Sequence, residues 1–276
     1  MYSCTILNKE RSLAMLLRRE LKRNLKSFLI AALICGAMSM YVIAMSNKMG
    51  VDIQQILNLK LPPGLQAAFG MTGLDFNSPM GFFGLMFSYI YLFISIYLAG
   101  LFSTIVSKEF SEKTAEYLFS LPIRRMNIIL IKLFVAFTYA ILTILFITVV
   151  SLISFTTLIK QDLNLQPVYL MALAWLLGSL YFGSLGFLLS SFVTRTRTIS
   201  SASVGLVLVF YLLQVAVSMN KDLSFLKYIS PFDWFKGSEI VNSGELSFTY
   251  CMIAIGLSAI CFSIGIIRFK KMDVLI

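Results

Sequence analysis

The chain has 276 residues, 58% of them hydrophobic, with a mean hydropathy of +0.86 and a formal net charge of +10. That apolar share excludes a soluble domain of this size. It contains no histidine, which excludes histidine-ligated zinc proteases and di-iron histidine-box enzymes.

Residues 1–26 come first. Leu13, Leu16, Leu17, Leu21 and Leu25 recur every three or four positions, interleaved with Arg18, Arg19, Lys22, Arg23 and Lys26. This predicts an amphipathic helix with an apolar stripe and a basic face, lying at the cytoplasmic interface near anionic lipid. Six apolar runs follow, near Ser27–Met45, Met80–Val106, Leu133–Ile159, Pro167–Val193, Ile199–Met219 and Phe248–Ile267. Each is about the length that crosses a bilayer core, and none contains Asp, Glu, Lys or Arg. The runs do not alternate apolar and polar, so barrel strands are excluded and helices remain. The first run lacks a small-x-small cleavage pattern and is expected to be retained.

The predicted fold class is therefore an all-α, polytopic helical membrane protein with six transmembrane helices, as one domain over 1–276. Its parts are an interfacial helix over 1–26, spans one and two over 27–106, a cytoplasmic segment over 107–132, and spans three to six over 133–276. Of the 23 Lys and Arg, 17 fall in segments 1–26, 107–132, 194–198 and 268–276. The positive-inside rule places those segments, and both termini, in the cytoplasm. The basic residues flank spans instead of forming one patch, so no nucleic-acid partner is expected.

Cys4, Cys35, Cys251 and Cys261 have no metal-type spacing and read as small packing residues. Two outer loops, 46–79 and 220–247, carry features of their own. Pro62-Pro63-Gly64 predicts the start of a short amphipathic helix. Ser230-Pro231-Phe232-Asp233-Trp234-Phe235 suits an interfacial aromatic belt or a cap over an exit path. In the fourth run Ser179, Gly183, Gly186 and Ser190 share one helical face. Such a face lets backbones approach closely, either within the chain or against a second membrane subunit.

The segment between spans two and three is the most charged. Phe110, Thr114, Tyr117, Leu118 and Leu121 share one side of a helix, while Glu109, Glu112 and Glu116 share another. Pro122 stops that helix, and Arg124, Arg125 and Lys132 mark the start of span three. By spacing alone it serves equally as a solvated loop helix and as a handle for a partner.

The run Glu112-Lys113-Thr114-Ala115-Glu116-Tyr117-Leu118-Phe119-Ser120-Leu121-Pro122-Ile123-Arg124-Arg125, followed by Lys132, resembles the membrane subunit of an ABC type-2 exporter. The match lies at Glu112, Thr114, Glu116, Leu118, Pro122, Arg125 and Lys132. The chain departs at Lys113, where glycine is common, and at Phe119, where leucine is common. The basic N-terminal helix, the six spans and Ser230-Pro231-Phe232 extend the resemblance weakly over the chain.

The resemblance implies a permease that meets a separate ATPase through Glu109, Glu112, Thr114, Glu116, Tyr117, Leu118, Pro122 and Arg125. It also implies a second membrane subunit, identical or paralogous, and a bacterial plasma membrane as the location. ATP and magnesium would be held by the partner, because this sequence has no G-x-x-x-x-G-K-[ST] loop. No cofactor of its own and no intrinsic enzyme activity are expected: the runs carry no paired carboxylates and no lysine base at membrane depth. Two other readings differ in class or direction: a scaffold or sensor that recruits a soluble partner without moving solute, and an importer subunit.

Overall fold

The computed structural model describes residues 2–58, 66, 70–71, 73–75, 78–111, 125–159, 164–192, 196–219 and 221–271, with backbone alone for 2–12, 47–58, 106, 109–111, 125, 221–222, 224 and 271. Among the described residues every regular element is helical. The long helices are α1 (Tyr2–Asn58), α2 (Pro79–Ser111), α3 (Arg125–Leu158), α4 (Gln166–Ser190) and α5 (Thr196–Met219). A 3-10 segment, Lys221–Tyr228, leads to two short helices, α6 (Pro231–Trp234) and α7 (Gly237–Ser243), and then to α8 (Phe248–Lys271).

Six stretches are long and apolar enough to cross a membrane: Leu13–Ser46, Pro79–Ile105, Met126–Leu158, Gln166–Ser190, Thr196–Met219 and Phe248–Lys270. Four of them sit close to their expected bounds. The first and third begin earlier, because α1 continues unbroken through Ser27 and α3 starts at Arg125. At 57 residues α1 is about 86 Å long, far more than a hydrocarbon core of about 30 Å. It therefore also fills residues 46–58, expected as loop, while the region after Pro62-Pro63 lies largely outside the described residues.

Local chemistry sets the helix starts. Ser78 caps α2, its hydroxyl accepting the Gly81 N–H at 3.0 Å with Pro79 in the first turn. Asn164 does the same for the Gln166 N–H ahead of α4, at 3.0 Å. Gly244, in the left-handed region at φ 64°, ends α7. Within the spans, the hydroxyls of Thr143, Thr148, Ser151 and Ser154 donate to carbonyls one turn back. Each of these four hydroxyls is thus satisfied without water.

Side-chain contacts fix the directions. Glu20 meets Lys132 and Ser39 meets Ser151, each pair separated by 112 residues, so α1 and α3 run parallel and in register. Trp175 donates to the Phe87 carbonyl at 3.3 Å, and Gly186 faces Ala99, so α2 and α4 also run parallel. Arg268 reaches the Ser191 carbonyl, which sets α8 beside α4 with the same heading. The six membrane-length helices alternate in direction. Glu20, Lys132, Ser191 and Arg268 lie at one end, called here the basic end, and α6 and α7 at the other.

The small residues of α4 are used inside the chain. A Cβ on Gly186 would fall 2.5 Å from the Ala99 carbonyl oxygen of α2, and one on Gly183 would fall 2.7 Å from Phe102. Ser179 and Ser190 are buried, their hydroxyls bonded to Trp175 and Phe187 carbonyls. This face is occupied by α2, so the intrachain alternative describes it, and these four residues present no surface to a second subunit here.

Candidate functional site

Two sites with buried charged side chains stand out among the described residues. The first is at the basic end, where α1, α2 and α3 meet. Ile128, Lys132 and Tyr139 recur on the face of α3 that looks at α1. Leu16, Glu20 and Asn24, spaced by four, line the matching face of α1. Leu16 packs on Ile128, with Leu13 and Ile131 beside them. Leu17 and Leu21 join the main core. Four of the five predicted stripe leucines are therefore seated on protein, while Leu25 is 43% exposed.

One turn further, Lys132 is 1% exposed and Glu20 fully enclosed. Lys132 Nζ lies 2.8 Å from Glu20 Oε1 and donates to the Ile105 carbonyl of α2 at 3.0 Å. Arg23 Nη2 reaches both Glu20 oxygens, at 3.0 and 2.8 Å. Asn24 donates back to the Glu20 carbonyl at 3.0 Å, and the Tyr139 hydroxyl donates to the Leu21 carbonyl at 2.5 Å. The Phe28 and Tyr139 rings close the upper side at 5.2 Å between centroids. One ammonium thus ties three helices together in a dry setting, where charge-assisted bonds are strongest. Nearby, Thr196 of α5 donates to the Ser107 carbonyl near the end of α2 at 2.8 Å. Arg268 lies 3.8 Å over the Phe192 ring.

This clasp brackets the charged segment. Ile105 lies just before it on α2, and Lys132 is its last residue, on α3. Glu109 and Arg125 lie on the ends of α2 and α3, with backbone alone described. Glu112, Thr114, Glu116, Tyr117, Leu118 and Pro122 lie outside the described residues. Of the motif residues, Lys132 is the one whose side chain can be located, and it is buried instead of marking a solvent boundary.

The second site is at the opposite end. Ser230, Phe232, Asp233, Trp234 and Phe235 are all at most 5% exposed, so this segment is a plug between spans and not a belt of interfacial aromatics. The Phe232 ring sits 4.6 Å from Tyr91, 5.0 Å from Phe182 and 5.7 Å from Tyr211. Trp234 stacks on Tyr250 of α8 and donates to the Tyr228 carbonyl at 3.1 Å. Ser230 donates to the Phe210 carbonyl of α5 at 3.2 Å. Aromatic pairs of this kind add roughly 0.5–1.5 kcal/mol each beyond their burial.

Asp233 is the charged member of the plug. Lys236 Nζ approaches its Oδ1 to 2.9 Å, yet neither carboxylate oxygen receives an aligned hydrogen bond. Burial pushes the Asp233 carboxyl above its ordinary range, with Lys236 and, more weakly, Lys227 pulling the other way.

Sequence reasoning missed both acids. Glu20 could have been found as the lone acid on the leucine stripe of a basic helix, and Asp233 as an acid within an aromatic run.

Six helices long and apolar enough to cross a membrane, packed in one bundle, define a multi-pass membrane protein. A family model described as ABC-2 family transporter protein matches residues 15–274, and the chain belongs to that family. It is thereby a transmembrane permease component of an ABC transporter, a class that associates with an ABC ATPase. No curated protein matches it in sequence.

Proposed function

We infer that this chain is the membrane-spanning subunit of an ATP-driven exporter, forming the translocation path and taking its drive from a separate ATPase at segment 107–132. Both ends of the chain would then be cytoplasmic, in a bacterial plasma membrane, and a second membrane subunit would complete the path. The clasp at Lys132 carries this reading. A partner that pushes on the segment between Ser111 and Arg125 acts on two helix ends held to each other, and to α1, through one buried ammonium. The push therefore moves three helices together and does not merely flex a loop. ATP and magnesium would stay with the partner, whose turnover this chain would receive through Glu112, Glu116 and their neighbours.

The direct test places a photo-cross-linking residue at position 117 in native membranes. The expected adduct contains a protein with a phosphate-binding loop, and Glu116→Lys is expected to reduce its yield severalfold. An adduct with a protein that binds no nucleotide would favour the scaffold reading instead.

A further inference from the structure

We propose that the exposed face of α1 at the basic end is a binding surface for anionic phospholipid, with Lys22 and Lys26 holding the headgroup. On a helix turning about 100° per residue, Arg18, Lys22, Lys26, Leu25, Leu29 and Leu33 all fall within about 60° of the Lys22 direction. All six are exposed. The face is thus basic for its lower two turns and apolar above, with no break between.

Over 13–46, the stretch of α1 whose side chains are described, no acid shares this face. Between residues 13 and 46 the sequence has one acid, Glu20. It points to the opposite side of α1, fully enclosed, with Lys132 and Arg23 on its oxygens. Burying that pair separates the signs: the acid goes inward and Arg18, Lys22 and Lys26 are left outward.

The dimensions suit a lipid. Lys22 and Lys26 are one turn apart, about 6 Å along the axis, which matches the depth of a headgroup layer. A lysine stem is long enough to lie along a helix and carry its ammonium to the phosphate level. The exposed leucines above meet acyl chains. An acidic protein surface would satisfy the lysines but leave the adjoining apolar face uncovered, whereas one phospholipid covers both. The surface does not depend on the transport reading.

The test reconstitutes the full chain in nanodiscs of equal phosphatidylcholine and phosphatidylglycerol, then transfers it gently to detergent. The retained lipid is quantified by mass spectrometry. Wild type is expected to enrich phosphatidylglycerol at least about threefold over input. Lys22→Gln/Lys26→Gln is expected to return the ratio to input while leaving insertion and thermal stability unchanged, both side chains being exposed. Arg197→Gln/Lys270→Gln, on α5 and α8, should keep the enrichment. Unchanged enrichment in the first variant, or an equal fall in the second, would overturn the assignment. So would loss of a protein partner, with lipid retention intact, in the first variant.

Discussion

A lysine ammonium in a dry interior persists only where oxygens replace its water, and Lys132 has one from each of two other helices. Replacing it with Met leaves Glu20 buried with Arg23 as its remaining described partner, at an expected cost of about 3 kcal/mol. Removing both charges together, Glu20→Gln/Lys132→Met, should recover at least half of that loss. Thermal unfolding in detergent measures it, and strictly additive losses would mean the two groups do not act as a pair. Asp233 behaves differently, because its charge is poorly compensated. Folding raises its carboxyl above the ordinary value. Between those two values the folded chain keeps a proton that the unfolded chain has released. The Asp233 contribution to stability is therefore greatest at low pH, falls as pH rises through the raised value, and then levels off. Asp233→Asn should flatten that part of the stability profile, and an unchanged slope would assign the pH dependence elsewhere.

The elements meet closely where small residues allow it, as α2 does against α4. Gly186→Ala puts a methyl 2.5 Å from a backbone carbonyl that cannot step aside, so the helices must separate. The expected cost is about 1–3 kcal/mol. Gly205→Ala on α5 meets nothing within 4 Å and should be neutral or mildly stabilising. Equal melting temperatures for the two variants would contradict this account of the packing. The spans themselves were legible because a charge-free run of about 20 apolar residues has few other uses. Their ends were less legible. Lys132 reads as a boundary marker and Arg23 as part of a basic face, while Glu20 carries no signal of a partner in the sequence. Sequence spacing does not display a pairing between residues 112 positions apart. The small stripe on α4 had two possible uses by composition, and contact geometry with Ala99 and Phe102 chose between them.

At the scale of the whole molecule, the braces sort by end. At the basic end Lys132, Thr196 and Arg268 tie helix ends together through side chains. At the other end the aromatic plug of Phe232 and Trp234 fills the space between spans. In the proposed exporter the braced end would receive force from the partner and the aromatic plug would close the opposite end. Resemblance to a family is what suggested a motor, while the charged segment itself was legible in the sequence from its charges and its proline. The clasp beneath it was not, because Glu20 gains its meaning only when α1 is laid beside α3.

The central claim is most directly tested by purifying the tagged chain gently from native membranes, then measuring which proteins accompany it and whether the complex hydrolyses ATP. The account predicts a stoichiometric partner with a phosphate-binding loop, and an ATPase activity that falls when Glu112 and Glu116 are replaced. A chain that emerges alone, or with a partner that binds no nucleotide, would contradict it.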